Sequence, residues 1–134
     1  MRPHTLLAEV MRMSQLVYQP LTDMECLDVL RSVHVTRAAF CSGERPYIVP
    51  MAFQLVCDGT TPLIYLCMPD HGRKVEYLCR CDRVCLEFEA PSCAWVDVVL
   101  LEGAAALDAW EKGAGLALHV QGEAVSGRRF FLPG

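Results

Sequence analysis

Ile64-Tyr-Leu-Cys-Met-Pro-Asp-His-Gly-Arg-Lys-Val-Glu-Tyr-Leu78 carries a strand, a turn and the first turns of a helix. The apolar run from Leu63 through Met68 reads as the strand, and Pro69-Asp70-His71-Gly72 stops it. Arg73 and Lys74 follow, with Val75, Leu78 and Cys79 at helical spacing behind them. The first amides of a helix have no partner within it, and the helix dipole puts partial positive charge there. Arg73 can add a bidentate fork and Lys74 a point charge. A phosphate-bearing ligand is the natural occupant of such a place. The plainer alternative is a solvated helix start with two surface cations.

Upstream, Asp58-Gly-Thr-Thr-Pro62 is a turn, and a strand is expected from about Tyr47 to Cys57. Pro50 inside that strand is awkward in a central ladder because it donates no backbone hydrogen bond. A bulge, or a strand edge turned toward a ligand, would accommodate it. His34–Phe40 reads as the preceding strand and Cys41–Arg45 as its turn, so the first three strands run in meander order. Thr22-Asp-Met-Glu25 is a capping box, and Met24, Leu27, Leu30 and Val33 recur at helical spacing, which predicts a helix over 23–32. Before it, Leu6, Leu7, Val10, Met11 and Met13 fit an amphipathic helix or an extended arm that ends at Pro20.

Downstream, the helix after Gly72 should end near Arg80, with Asp82 leading into a strand Val84–Glu89. Ala90–Cys93 reads as a loop and Trp95–Gly103 as a strand, with Ala104–Leu107 extending it. Asp108 can cap a helix over Ala109–Val120, weakened by Gly113 and Gly115. Gln121–Gly134 gives no firm assignment. Short strands with intervening helices point to an α+β or mostly-β barrel class.

The 134 residues suit one domain, and 53% hydrophobic residues exceed what a small monomer needs to fill its core. No apolar run approaches the roughly 20 residues of a membrane-spanning helix. The surplus therefore points to a buried homodimer interface. A net charge of −4 with scattered cations gives no basic face for nucleic acid. The first residues lack the long apolar region of a secretory signal, so a cytoplasmic location is expected.

Eight cysteines remain to be placed. Cys57, Cys67 and Cys85 sit in or beside apolar runs, where a reduced thiol packs as a small hydrophobe, and core packing is the expected role. The alternative is a redox or metal-sensing cluster of Cys79, Cys81 and Cys85, although their expected places at a helix end, a turn and a strand start do not form a zinc knuckle. His4, His34, His71 and His119 show no metal-ligand spacing, and Gly-x-Gly-x-x-Gly and P-loop patterns are absent. His71, beside Gly72 and Arg73, is within reach of a phosphate bound there.

Three segments occur in a telling order: Gly43-Glu-Arg-Pro-Tyr-Ile-Val-Pro-Met-Ala-Phe-Gln-Leu-Val56, the strand and Gly-Arg-Lys helix start quoted above, and Asp82-Arg-Val-Cys-Leu-Glu-Phe88. In that order the chain resembles the pyridoxamine 5'-phosphate oxidase-like FMN-binding split-barrel proteins, and more closely their short branch related to nitroimidazole-resistance proteins. The resemblance runs from about Leu21 to Gly103. It implies a mostly-β or α+β split β-barrel with a few flanking helices over 21–134, behind an N-terminal arm or helix over 1–20. It implies FMN at the interface of a homodimer, with the phosphate on Gly72, Arg73 and Lys74. The isoalloxazine ring would lie along Val49, Pro50, Met51 and Ala52, reaching Phe53, with Leu66, Cys67 and Met68 bordering the same groove. Arg37 stands where many relatives carry a basic residue near the phosphate.

The activity implied is a flavin-dependent oxidoreductase that takes electrons from a nicotinamide or protein donor and passes them to a small acceptor. No side chain stands out as a required acid or base. Cys67 stands where the nitroimidazole-resistance branch often has histidine, which counts against that activity. The substrate-binding tail of the pyridoxamine-phosphate oxidases has no counterpart here, which counts against vitamin B6 oxidation. The rival readings are a non-catalytic flavin- or haem-binding protein and the cysteine-based sensor.

Overall fold

Most strands in this chain are joined by connections too short for a parallel crossover, and every ladder that forms is antiparallel. The computed structural model describes residues 5–9, 18–43, 45–59, 61–69, 71–109 and 116–132. The strands are β1 (Tyr18–Pro20), β2 (Val35–Cys41), β3 (Pro46–Ala52), β4 (Gln54–Asp58), β5 (Thr61–Met68), β6 (Arg83–Pro91), β7 (Trp95–Ala109), β8 (Leu116–Gln121) and β9 (Ala124–Phe131). Two helices, α1 (Asp23–Ser32) and α2 (Arg73–Arg80), lie between them. No helix among the described residues is long and apolar enough to cross a membrane.

The sheet runs β3-β2-β6-β7-β8-β5-β4, with β9 paired to β7 and β1. β3 and β4 are separated only by Phe53 yet lie at opposite ends of this path, so the sheet must curl until its two ends meet. It closes as a barrel with a seam, because β3 and β5 touch without pairing. The bend is made at β7. Its first part pairs with β9 and its last part with β8, and the change of partner falls at Gly103. A Cβ there would lie 2.2 Å from the carbonyl oxygen of Gln121, so only glycine allows that corner.

Alternation puts one face of each strand inside. Ala38 and Phe40, Ile64 and Leu66, Leu86 and Phe88, Val99 and Leu101, and Leu118 and Val120 fill the barrel. Phe53 meets Phe88 edge-on at 4.9 Å. Thr36, fully buried, donates its hydroxyl to the Glu87 carbonyl at 2.9 Å, which satisfies this polar side chain inside the core. α1 packs against β6, β7 and β9 through Cys26, Val29 and Leu30.

Several expectations need correction. The single strand from Tyr47 to Cys57 is two strands, broken at Phe53, whose amide donates to the His34 carbonyl at 3.3 Å. Pro50 needs no bulge, since β3 is bonded on one side only and an edge strand tolerates proline. The helix over Ala109–Val120 does not form as expected: Asp108 and Ala109 belong to β7, and Leu116–Gln121 is β8, held between β5 and β7. Gly113 and Gly115 lie outside the described residues, as do Val10, Met11 and Met13 of the N-terminal segment. Residues 5–9 are helical with Leu6 and Leu7 exposed, whereas Tyr18–Pro20 joins the sheet beside β9. The Gln121–Gly134 segment without an assignment supplies that ninth strand.

The cysteines are also mostly outside the core. Only Cys26 is buried, Cys57, Cys81 and Cys85 are half-buried, and Cys41, Cys67, Cys79 and Cys93 are exposed; all are free thiols. An unbroken apolar run places every second member on the outer face, which is where Cys67 falls beside inward Leu66 and Met68. Burial pushes the thiols of Cys26 and Cys85 above their ordinary pKa.

Candidate functional site

A groove of about 720 Å³ runs along the seam where the two ends of the sheet meet. Its walls are Pro50, Met51 and Ala52 at the end of β3, Phe53 at the break, and Gln54 opening β4. Tyr65, Leu66 and Cys67 of β5 form the opposite wall, with Ala117 of β8 beside them through its pairing with Cys67. Lys74 of α2 stands at one end. Pro50 and Ala52 lie on the exposed side of β3, so the groove is on the outside of the barrel, open to solvent or to a partner.

Gly72 begins α2 with φ 107° and ψ −173°, a conformation essentially reserved for glycine. No side chain among the described residues caps this helix start. The Glu76 amide bonds back to the Gly72 carbonyl at 3.1 Å, and the amides before it have no partner within the helix. Lys74 is half-buried and reaches the groove, while Arg73 is exposed and lies over the Tyr47 ring, 5.1 Å from its centroid. Tyr47 is itself held between Phe40 and Tyr77, with ring centroids 6.0 and 5.5 Å away. Two cations therefore stand at the uncapped start, one beside the groove and one held on an aromatic ring.

Of the residues expected at the site, Pro50, Met51, Ala52, Leu66, Cys67 and Lys74 are brought together here. Val49 faces the core on β3 and Met68 is buried at the end of β5. Gly72 and Arg73 stand at the helix start, with His71 exposed just before them. Arg37 is turned elsewhere. Its guanidinium bonds Glu87 at 2.9 Å and also Glu89, and the two carboxylates hold its pKa above the usual value. Gln54, Tyr65 and Ala117 are groove residues that motif reading did not find. Tyr65 was visible as an outward member of an apolar strand, but Ala117 reaches the groove only through a long-range strand pairing.

A second hollow of about 600 Å³, beneath α1 and beside Gly122, is lined by Asp23 and, as the only cation among its described lining residues, Arg31. It suits an anion less well. The alternative cluster of Cys79, Cys81 and Cys85 finds no support: no group of three potential metal ligands is found among the described residues.

No family model matches this sequence, and no curated protein matches it. Solved structures do match. A FAD-binding protein from Mesorhizobium loti superposes with a TM-score of 0.72 at 21% identity, over 85% of this chain and 99% of its own. A protein assigned to 5-nitroimidazole antibiotic resistance from Bacteroides thetaiotaomicron gives 0.74 at 16% identity, over 87% and 90%. A protein assigned as a pyridoxamine 5'-phosphate oxidase from Corynebacterium glutamicum gives 0.72 at 18% identity, over 87% and 96%. The chain has the split-barrel fold of the pyridoxamine-phosphate-oxidase-like proteins. At these identities the likeness is one of fold.

Proposed function

We propose that this split barrel binds a flavin, FMN in the first instance, along the seam groove, and works as a flavin-dependent oxidoreductase on a small acceptor. The observation that carries the reading is the junction of an elongated, largely apolar groove with an uncapped helix start flanked by Arg73 and Lys74. A flat ring system with a phosphate tail has that shape and polarity. The residues fit the group. Peptide edges of β3 and β5 can meet the polar edge of the ring, while Pro50, Ala52 and Tyr65 cover its faces. The free amides of α2 and Lys74 meet the phosphate. FMN is preferred because its terminal phosphate is a dianionic end group, matching a helix start that carries two cations.

Magnitudes allow Arg73 to join. Its stacking on Tyr47 at an exposed position is worth about 0.5–1 kcal/mol, whereas a charge-assisted bond to phosphate is worth roughly 1.5–3 kcal/mol. Arg73 would leave the ring for the phosphate, at a net gain. Bound there, the flavin would supply the electron transfer, taking a hydride from a nicotinamide donor or electrons from a protein donor. This chain's residues bind it, orient it and exclude water from its buried face.

The groove lies on the outer surface beside exposed apolar residues of β2 and β3, among them Val35 and Ile48, the latter 62% exposed. A second copy covering that face would enclose the ring, which supports a homodimer with the flavin between subunits. The absorption spectrum of the purified protein tests the reading. Flavin bands, or their appearance on adding FMN with one flavin per chain, are expected. A haem Soret band, or a colourless protein that leaves FMN free in dialysis, would overturn it.

A further inference from the structure

At the end of α2 remote from Arg73 and Lys74, just past Arg80, two cysteines meet. Cys41 closes β2 and Cys81 caps the C-terminus of α2, and their Sγ atoms are 3.3 Å apart although 40 positions separate them in the chain. The fold, not sequence proximity, creates the pair. Cys41 is exposed and Cys81 half-buried, so small molecules in solution reach both. The two Sγ atoms are already in contact, and a disulfide would bring them to about 2.05 Å.

The two thiols are not alike. Cys41 also donates to the Arg83 carbonyl at 3.8 Å, and its hydrogen bond to Cys81 holds its proton on, above the usual thiol pKa. Cys81 accepts that bond with Cys41 as its donor, so the first attack is assigned to Cys81. Two thiols without a third ligand do not make a zinc site, and no third candidate joins them among the described residues.

We propose that Cys41 and Cys81 form a redox-active dithiol, oxidised to an intramolecular disulfide by low-molecular-weight disulfides. Cys81 thiolate attacks one sulfur of the small disulfide, whose S–S bond breaks, and one small thiolate leaves. Cys41 then loses its proton and attacks Cys81 Sγ in the mixed disulfide, expelling the second small thiolate. The two protons shed by the protein balance the two released thiols: the cysteines are oxidised and one small disulfide is reduced. The bond would close a loop that carries β3, β4, β5 and α2, which supply the walls of the groove other than Ala117. Oxidation would thus tether the far end of the helix whose other end flanks the groove. The pair itself needs no flavin, so its test stands apart from the cofactor reading.

The full chain, reduced and freed of reductant, is incubated with oxidised glutathione, quenched in acid, alkylated and mapped by peptide mass spectrometry. The expected product is a single chain with no link to a second copy, about 2 Da lighter, cross-linked between Cys41 and Cys81, and restored by dithiothreitol. Cys41→Ser and Cys81→Ser should each trap a glutathione adduct on the remaining partner. A variant with Cys67→Ser, Cys79→Ser and Cys93→Ser, the other exposed thiols, should cross-link as the wild type does. The proposal fails if folded wild type carries only scattered adducts with Cys41 and Cys81 unlinked. It fails equally if the link joins two chains, or forms as readily in guanidinium-unfolded protein.

Discussion

The two helices of this barrel begin in opposite ways. At α1, Thr22 accepts the Glu25 amide at 3.2 Å, and the Glu25 carboxylate accepts the Thr22 amide at 3.0 Å, a closed reciprocal box. At α2, Gly72 offers no side chain, and the residues that follow are Arg73 and Lys74. α1 carries acidic residues in its first turn, Asp23 and Glu25, which suit its dipole, while α2 opens with two cations, which oppose it, before Glu76. The chain has the means to close a helix start and does so where the helix only supports the core. Where the helix borders the groove, it leaves amides and positive charge available together. That contrast is what the proposed phosphate site requires.

Substitutions can sharpen the contrast. The largest stability effect should come at Gly72. A Cβ there meets no atom within 4 Å, so the cost is backbone strain alone, and Gly72→Ala should lower unfolding free energy by about 1–3 kcal/mol in chemical denaturation. A change within about 0.5 kcal/mol of wild type, the range of a neutral surface substitution, would mean that the turn relaxes to another conformation. Thr22→Ala removes a side-chain cap and should cost about 1 kcal/mol without altering ligand affinity at the groove. Loss of ligand affinity in that variant would show the two starts to be coupled.

The smallest effect is in pH dependence. The Thr22 amide, then its hydroxyl, holds the Glu25 carboxyl below its ordinary pKa. A group with a lowered folded pKa contributes stability above its unfolded pKa and loses that contribution as pH falls through the folded one. The stability advantage of wild type over Glu25→Ala should therefore be level from neutral pH to about 4.3 and shrink below it. An advantage that grows in acid would contradict the box.

How far the sequence disclosed this depended on whether the signal was local. The capping box and helix over 23–32 are complete in adjacent residues and form as read. The Gly-Arg-Lys start is equally local, and α2 begins at Arg73. The second half of the chain was harder for a physical reason. Ala and Leu around 104–118 favour helix by propensity, yet β8 is held between β5 and β7, and that pairing overrides the local preference. β9 was hidden by its charges and by Gly127, which is there because a Cβ would come within 2.6 Å of Cys26 Sγ under α1. The groove shows the same division. Pro50 to Ala52 and Lys74 were legible from motifs, whereas Tyr65 and Ala117 depend on how the sheet curls. Cysteine placement was misjudged because an apolar run does not say which of its members point outward.

The assignment of the α2 start to a flavin phosphate is best tested by titrating FMN and riboflavin into wild type and an Arg73→Ala, Lys74→Ala variant, with calorimetry or flavin fluorescence as the readout. Each charge-assisted bond is worth roughly 1.5–3 kcal/mol, so each single substitution should weaken FMN about 10- to 150-fold and the double variant more. Riboflavin, which lacks the phosphate, should bind wild type and variant alike. A folded double variant that keeps wild-type affinity for FMN would contradict the assignment and leave Gly72-Arg73-Lys74 a solvated helix start.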